Sequence, residues 1–287
     1  LRGEYPLAAE RLGHAIAECR AAGLLGDGVM GSGHRFDIEL RRGAGAYICG
    51  EETALFASIE GFRGEPRSKP PFPTTHGLFG EPTAVNNPET LLNVIDILET
   101  GAAHYRTLGS ERSNGHRLFC LSGHVGTPGL YEVPFGIELG ELIELAGGAT
   151  GTTRAVLLGG AAGVFVGPDQ LDLELSLEAT RGAGAPHGAG VVTVFDDSVD
   201  FTALLLRISE FFASESCGQC VPCRVGVVRQ REVLTEMASL GSLSATRHQL
   251  IDDMAMAMRD ASICGLGHTA SGAVQSAIQL GLIGSRA

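Results

Sequence analysis

Cys217, Cys220 and Cys223 stand at successive three-residue intervals, and Cys264 follows much further along the chain. Thiolates are the ligands that iron–sulfur clusters take, and a three-residue step lets neighbouring thiolates face one small volume from a single turn. A triplet completed by a distant fourth cysteine is a ligand set for a four-iron, 4Fe-4S cluster carrying single electrons. Zinc also takes four thiolates, although its sites more often use two separated Cys-x-x-Cys knuckles than a triplet plus one. Buried structural cysteines are a third reading, but they do not predict even spacing. Arg224, directly after Cys223, either places a cation beside an anionic cluster or is a surface residue at a helix start. Cys19, Cys49 and Cys120 lie in apolar or turn contexts and read as packing residues.

A second group of residues lies earlier in the chain. The glycine-rich turn Gly43-Ala-Gly-Ala-Tyr-Ile-Cys-Gly50 runs into Glu51 and Glu52 at the start of a helix. Carboxylates there complement the helix dipole and would repel phosphate, but they can accept hydrogen bonds from ribose hydroxyls or a carboxamide. Lys69, in Ser68-Lys-Pro-Pro-Phe-Pro73, is a cation on a stiff segment, with Phe72 near enough to stack on a ring. Asn86 and Asn87 offer side-chain amides, although Asn87 already has a sufficient role as a helix cap. Each of these has a plain structural reading too.

The elements that must position these residues follow from periodicity. Leu7–Ala22 reads as a helix stopped by Gly23, and Phe36, Ile38 and Leu40 alternate with Asp37 and Glu39 as a strand. Glu51–Glu60 and Asn87–Leu98 read as helices. Strand, glycine turn and helix together outline an α/β phosphate-site arrangement. Strand-like runs at Leu118–Gly123, Leu130–Val133, Ala155–Leu158 and Val191–Phe195, with a helix over Ile137–Ala146, predict a small α+β unit of the ββαβ kind. From Ser198 the pattern is helical: Phe201, Leu205, Ile208 and Phe212 form one stripe, and Val228–Met237, Ala245–Met258 and Ser271–Leu280 complete a bundle.

The 287 residues allow two or three domains, and 41 glycines imply many tight turns and close backbone approaches. A net charge of −12 argues against nucleic acid or an anionic membrane as the main partner. No apolar run is long enough for a membrane-spanning helix, so direct membrane insertion is not expected. Seven cysteines, four of them in a ligand pattern, fit a reducing cytoplasm better than a disulfide framework.

Several stretches carry a family resemblance. They are Gly45-Ala-Tyr-Ile-Cys-Gly-Glu-Glu-Thr-Ala-Leu55, Gly64-Glu-Pro-Arg-Ser-Lys-Pro-Pro-Phe-Pro73, Val85-Asn-Asn-Pro-Glu-Thr-Leu91, Glu215-Ser-Cys-Gly-Gln-Cys-Val-Pro-Cys-Arg224 and Cys264-Gly-Leu-Gly267. In this order, over essentially the whole chain, the sequence resembles the NADH-oxidising flavoprotein subunit of respiratory complex I. The same subunit type occurs in NAD-dependent formate dehydrogenases and NAD-reducing hydrogenases. The resemblance implies an α/β and α+β multidomain chain. Residues 1–115 would be part of an FMN/NADH-binding α/β domain, 116–196 a β-grasp domain of the soluble-ligand-binding type serving as packing, and 197–287 a helical bundle holding the 4Fe-4S cluster. It further implies that Gly50, Glu51, Asn86, Asn87 and Thr90 line FMN, and that Glu52, Lys69 and Phe72 lie against NADH.

On this reading FMN stands between NAD(H) and the cluster, with other iron–sulfur subunits of a larger redox complex as partners. A flavin is needed there because hydride carries two electrons and a cluster takes one. No catalytic acid or base is assigned. Family members carry a glycine-rich flavin loop upstream of the matching region, so the chain is expected to be a fragment. Val225 after Cys223-Arg224 resembles the formate dehydrogenase and hydrogenase branches more than complex I, and a formate dehydrogenase is the expected setting. The expectation from another class is a non-catalytic, cluster-bearing scaffold.

Overall fold

The chain starts with helix α1 (Pro6–Ala21), opened by a proline that suits the first helical turn. The structure, a computed structural model, describes residues 1–283, so 284–287 of the expected bundle lie outside the described residues. It divides into two compact units, Leu1–Ala84 and a second beginning at Val85. In the first unit α2 (Glu52–Ile59) buries Thr53, Ala54, Phe56 and Ala57.

The strand expected at Phe36–Leu40 does not form. Only one bridge, Gly26 to Phe36, is made. Alternation specifies a strand only where a neighbour supplies a ladder, and here Phe36 and Ile38 stay exposed. Arg20 holds the segment instead, donating to Asp37 Oδ1 at 2.8 Å and to the Ile38 carbonyl at 2.9 Å. The strand–turn–helix phosphate arrangement therefore lacks its strand. The glycine turn itself contains a short 3-10 segment, Tyr47–Gly50, leading into α2.

The second unit opens with α3 (Pro88–Thr100), capped by Asn87, whose side chain accepts from the Glu89 N–H at 2.9 Å. Its apolar residues Leu91, Leu92, Ile95 and Leu98 are exposed. After α4 (Ala102–Tyr105) comes a five-stranded mixed sheet: β1 (His116–Gly123), β2 (Gly129–Pro134), β3 (Thr153–Leu158), β4 (Val164–Val166) and β5 (Val191–Asp196). The strand order is β2-β1-β5-β3-β4, with β1 and β5 parallel and the other pairs antiparallel.

Helix α5 (Leu139–Leu145) contributes Leu139, Leu142 and Ile143 to a core with Phe119, Leu121, Val156, Leu158, Val192 and Val194. Each large apolar side chain removed from water contributes roughly 1.5–3 kcal/mol. Alternation along β1 puts Phe119 and Leu121 inside and Leu118 and Cys120 outside, so Cys120 is not a core packing residue. The ββαβ expectation omitted β4 and helix α6 (Leu177–Gly182), which are too short to show a period. The α3 start is tied to the sheet: the Leu118 N–H donates to Glu89 Oε1 at 3.0 Å.

The helical part comprises α7 (Phe201–Glu215), α8 (Val221–Leu240), α9 (Ala245–Ala261), α10 (Gly265–Thr269) and α11 (Gly272–Gln279). Leu205, Phe212, Leu234, Ile251, Met258 and Val274 fill its interior. Buried Gln230 is fully engaged. Its amide donates to the Ala270 carbonyl at 3.0 Å and to Ser209 Oγ at 3.4 Å, and its carbonyl accepts from Ser271 Oγ at 2.6 Å. Helix α11 covers the edge of β4, where the Phe165 N–H donates to Ser276 Oγ at 2.9 Å. Among the described residues no helix is long and apolar enough to cross a membrane.

Candidate functional site

Helix α7 ends at Glu215, and the chain turns through Cys217–Cys220 into α8. The turn requires Gly218, whose φ of +78° is strained for residues with a Cβ. Cys220 is the N-cap of α8, Pro222 sits in its first turn, and Cys223 lies one turn inside. Helix α8 thus starts earlier than the Val228 expected from periodicity, because Pro at the first turn sets its entry. Arg224 Nη1 donates to the Gly218 carbonyl at 3.1 Å, so this cation braces the cysteine loop. Ser216 Oγ lies 3.3 Å from Cys223 Sγ and accepts from the Gly218 N–H at 3.3 Å.

Cys264 arrives from the other side, as the N-cap of α10 after α9 has ended at Ala261. The N–H groups of Leu266 and Gly267 point at its sulfur. Gly267 makes the close approach possible: a Cβ there would overlap Ser262 and stand 3.1 Å from Cys223 Cβ. Cys223 and Cys264 are buried, and Cys217 and Cys220 are half-buried.

Burial pushes the Cys223 thiol up to about 11, against the lowering contact with Ser216, and the other three cysteines add to the rise. Burial also raises Cys264, against its two N–H donors. Buried thiols of this kind would ligate a metal centre as thiolates, their protons released to solvent and the metal's positive charge compensating theirs.

The four thiols are near enough to act on one another's ionisation. Yet among the described residues no three His, Cys, Asp or Glu side chains are gathered tightly enough for a single ion. Four thiolates on one zinc would have to stand within about 4 Å of each other, given Zn–S bonds of about 2.3 Å. Thiols around a cubane stand further apart because the iron–sulfide cage lies between them. Four thiol donors on a braced loop, with glycine at the closest approach, fit the ligand set of a cluster. None of the seven cysteines, all among the described residues, is in a disulfide.

In the first unit the structure brings Glu51, Glu52 and Lys69 together. Glu51 is the N-cap of α2: its Oε2 accepts from the Thr53 and Ala54 N–H groups, both at 2.9 Å. Its Oε1 accepts from Lys69 Nζ at 3.1 Å, and Lys69 also donates to Glu52 Oε1. Burial alone would raise the Glu51 carboxyl, but Thr53, Ala54 and Lys69 together hold it below its ordinary value. The two carboxylates, led by Glu52, raise Lys69. Gly50 and the Phe72 ring are exposed. The Cys49 sulfur packs on Gly64, where a Cβ would come within 2.5 Å of it. In the second unit Asn86, Asn87 and Thr90 are exposed around the start of α3.

The sequence alone does not single out Ser216, Ser262, Thr53 or Glu89. The positions of Ser216 and Ser262 close to Cys217 and Cys264 in the chain are the available signal, but the contact of Ser216 with Cys223 and the burial of the Ser262 hydroxyl depend on other elements.

Comparison with known families gives three matches in chain order. The Nuo51 FMN-binding domain matches residues 1–96, the SLBB domain 118–163, and the NADH-ubiquinone oxidoreductase-F iron-sulfur binding region 203–280. The chain is 42% identical over 282 residues to the F 2 subunit of NADH-quinone oxidoreductase from Rhizobium meliloti, covering 97% of this chain and 67% of the relative. It is 40% identical to the NADP-reducing hydrogenase subunit HndC of Solidesulfovibrio fructosivorans, covering 94% and 55% respectively. The crystal structure of an NAD+-reducing [NiFe]-hydrogenase in the H2-reduced state superposes with a TM-score of 0.87 at 39% identity, covering 97% of this chain and 46% of that one. The chain therefore spans between about half and two thirds of the proteins it matches. An FMN-binding region, an SLBB region and a braced four-cysteine site follow one another along it, and the chain belongs to the family of the F subunits of NADH-quinone oxidoreductase, the NADH dehydrogenase-type flavin and iron–sulfur subunits.

Proposed function

We propose that the chain is part of an electron-transfer subunit that passes electrons between NAD(H), FMN and a 4Fe-4S cluster. Cys217, Cys220, Cys223 and Cys264 would hold the cluster; Gly50, Glu51, Asn86, Asn87 and Thr90 would line FMN; Glu52, Lys69 and Phe72 would face NADH. The corresponding division is 1–115 for the FMN/NADH region, 116–196 for the β-grasp region and 197–287 for the cluster bundle. The observation that carries this reading is the cysteine cradle, with two buried thiols, a braced loop and glycine at the closest approach.

A bound flavin exchanges two-electron hydride chemistry for single electrons, and the cluster stores one electron at a time. The protein's own part is positional. Glu51 uses one oxygen for the α2 cap and the other for Lys69, so both residues stay ordered. Lys69 carries its charge between two carboxylates on a proline-stiffened segment, where it would meet the dinucleotide. Ser216 and the N–H groups of Leu266 and Gly267 supply donors to the thiolates.

The relatives are quinone oxidoreductase and hydrogenase subunits, so a place in one of those complexes, with further iron–sulfur subunits as partners, is the reading they support. A formate dehydrogenase is favoured only by Val225 after Cys223-Arg224. A cytoplasmic location follows from four thiolates that need reducing conditions.

Anaerobic purification followed by iron and acid-labile sulfide assay tests the proposal, with about four of each expected per chain. Cys264→Ala should abolish the paramagnetic signal of the reduced cluster. A single zinc without sulfide would overturn the cluster assignment, and a cluster without released flavin fluorescence in the full-length protein would leave a scaffold.

A further inference from the structure

Ser262 is the C-cap of α9, two residues before Cys264, and its hydroxyl is buried with no hydrogen-bond partner. Its backbone is well held: the N–H donates to the Met258 carbonyl at 3.2 Å, and His268 Nε2 lies 2.9 Å from its carbonyl oxygen. The orphan is therefore the hydroxyl alone. Buried hydroxyls in native folds are paired, and one that is not points to an acceptor supplied from outside the protein atoms. Gly267 shows where this hydroxyl lies. A Cβ built on Gly267 would overlap Ser262 Oγ and, from the same point, stand 3.1 Å from Cys223 Cβ. Ser262 Oγ thus lies near Cys223 Cβ, and Ser262 stands two residues before Cys264 in the chain.

We infer that the Ser262 hydroxyl donates a hydrogen bond to a sulfur of the cluster held by Cys217, Cys220, Cys223 and Cys264, and raises its reduction potential. The inference rests on the cluster reading proposed for these cysteines. Donors to cluster or ligand sulfur stabilise the more negative, reduced state, and hydrogen bonding is one of the terms that sets such potentials. The other donors at the site already have thiol acceptors, Ser216 at Cys223 and the Leu266 and Gly267 N–H groups at Cys264. Of these donors Ser262 alone lacks an acceptor among the described residues.

The test uses the protein purified anaerobically with its cluster, as wild type and as Ser262→Ala, Ser262→Thr and Ser262→Val. Iron and acid-labile sulfide are measured first, and a wild type without cluster would end the cysteine assignment and this inference together. With equal loading, dye-mediated redox titration followed by paramagnetic resonance gives the midpoint potential. Ser262→Ala should lower it by up to about tenfold in the reduction equilibrium, about 59 mV for a one-electron couple, and Ser262→Thr should stay near wild type. Equal potentials in wild type and Ser262→Ala, both fully loaded, would overturn the inference and leave the cluster assignment standing. If Ser262→Ala loads poorly, Ser262→Thr and Ser262→Val decide, because they share a shape and differ in the hydroxyl. A lower potential in Ser262→Val supports the donor, and equal potentials in this pair refute it.

Discussion

Lys69 and Glu51 are paired in the fold, and the proposed site draws on both. Lys69 sits between two carboxylates, so removing it would do more than delete the proposed contact with NADH. Lys69→Ala should raise the apparent KM for NADH about tenfold, a loss of about 1.4 kcal/mol, while FMN is retained. Unchanged NADH kinetics would remove Lys69 from the contact set. Glu51 has its own acid dependence. Its folded value is lowered from the ordinary 4.5, so its contribution is complete above 4.5 and is lost as pH falls through the lower folded value. Protection of the Thr53 and Ala54 amides against exchange, taken relative to the unstructured rate at the same pH, should therefore fall on acidification below 4.5, and Glu51→Gln should flatten that limb. Glu51→Ala removes the α2 cap outright, at a cost of about 0.5–2 kcal/mol.

Among the elements, α8 carries the most. Its N-terminus presents Cys220 and Cys223, and one side chain further along, Gln230, joins it to Ser209 of α7 and to Ala270 and Ser271 between α10 and α11. That junction ties the C-terminal end of α10, whose N-cap is Cys264, to α8. Gln230→Ala would orphan buried groups and open a cavity, for about 2–4 kcal/mol. A lowered urea midpoint with partial cluster loss is the expected outcome; a full-strength paramagnetic signal would show that the junction does not position Cys264. Edge strand β4 has a comparable dependence on α11, which satisfies the Phe165 N–H through Ser276.

At the scale of the whole molecule, a buried histidine in the sheet region contributes to acid sensitivity. His187 lies 6.0 Å from the Phe119 and Phe135 ring centroids, and the Arg117 guanidinium lies 5.9 Å from the same two rings. Burial first, and then Arg117, lowers its pKa below the ordinary 6.5. A lowered histidine means that the unfolded chain binds the extra proton. Its contribution is thus complete above 6.5 and is lost as pH falls from there toward the folded value. Urea unfolding followed by circular dichroism should show a midpoint that drops below pH 6.5. His187→Leu should flatten that drop, and an equal pH dependence in the variant would place its origin elsewhere.

What the sequence by itself determined was local. The stripe Phe201, Leu205, Ile208 and Phe212 announced α7, and Asn87-Pro88 announced the cap of α3, because each signal is complete within a few turns of chain; the cysteine triplet pointed to a cluster on the same local ground. The tertiary structure decided what depends on neighbours. Phe36–Leu40 has the alternation of a strand but no ladder to join, whereas Val164–Val166 is too short to show a period and becomes β4 because β3 pairs with it on one side and α11 covers the other. The same holds at the site. Ser262, Gly267 and Cys223 are brought together by the packing of α8, α9 and α10, so only the folded chain shows a hydroxyl left near Cys223 without an acceptor.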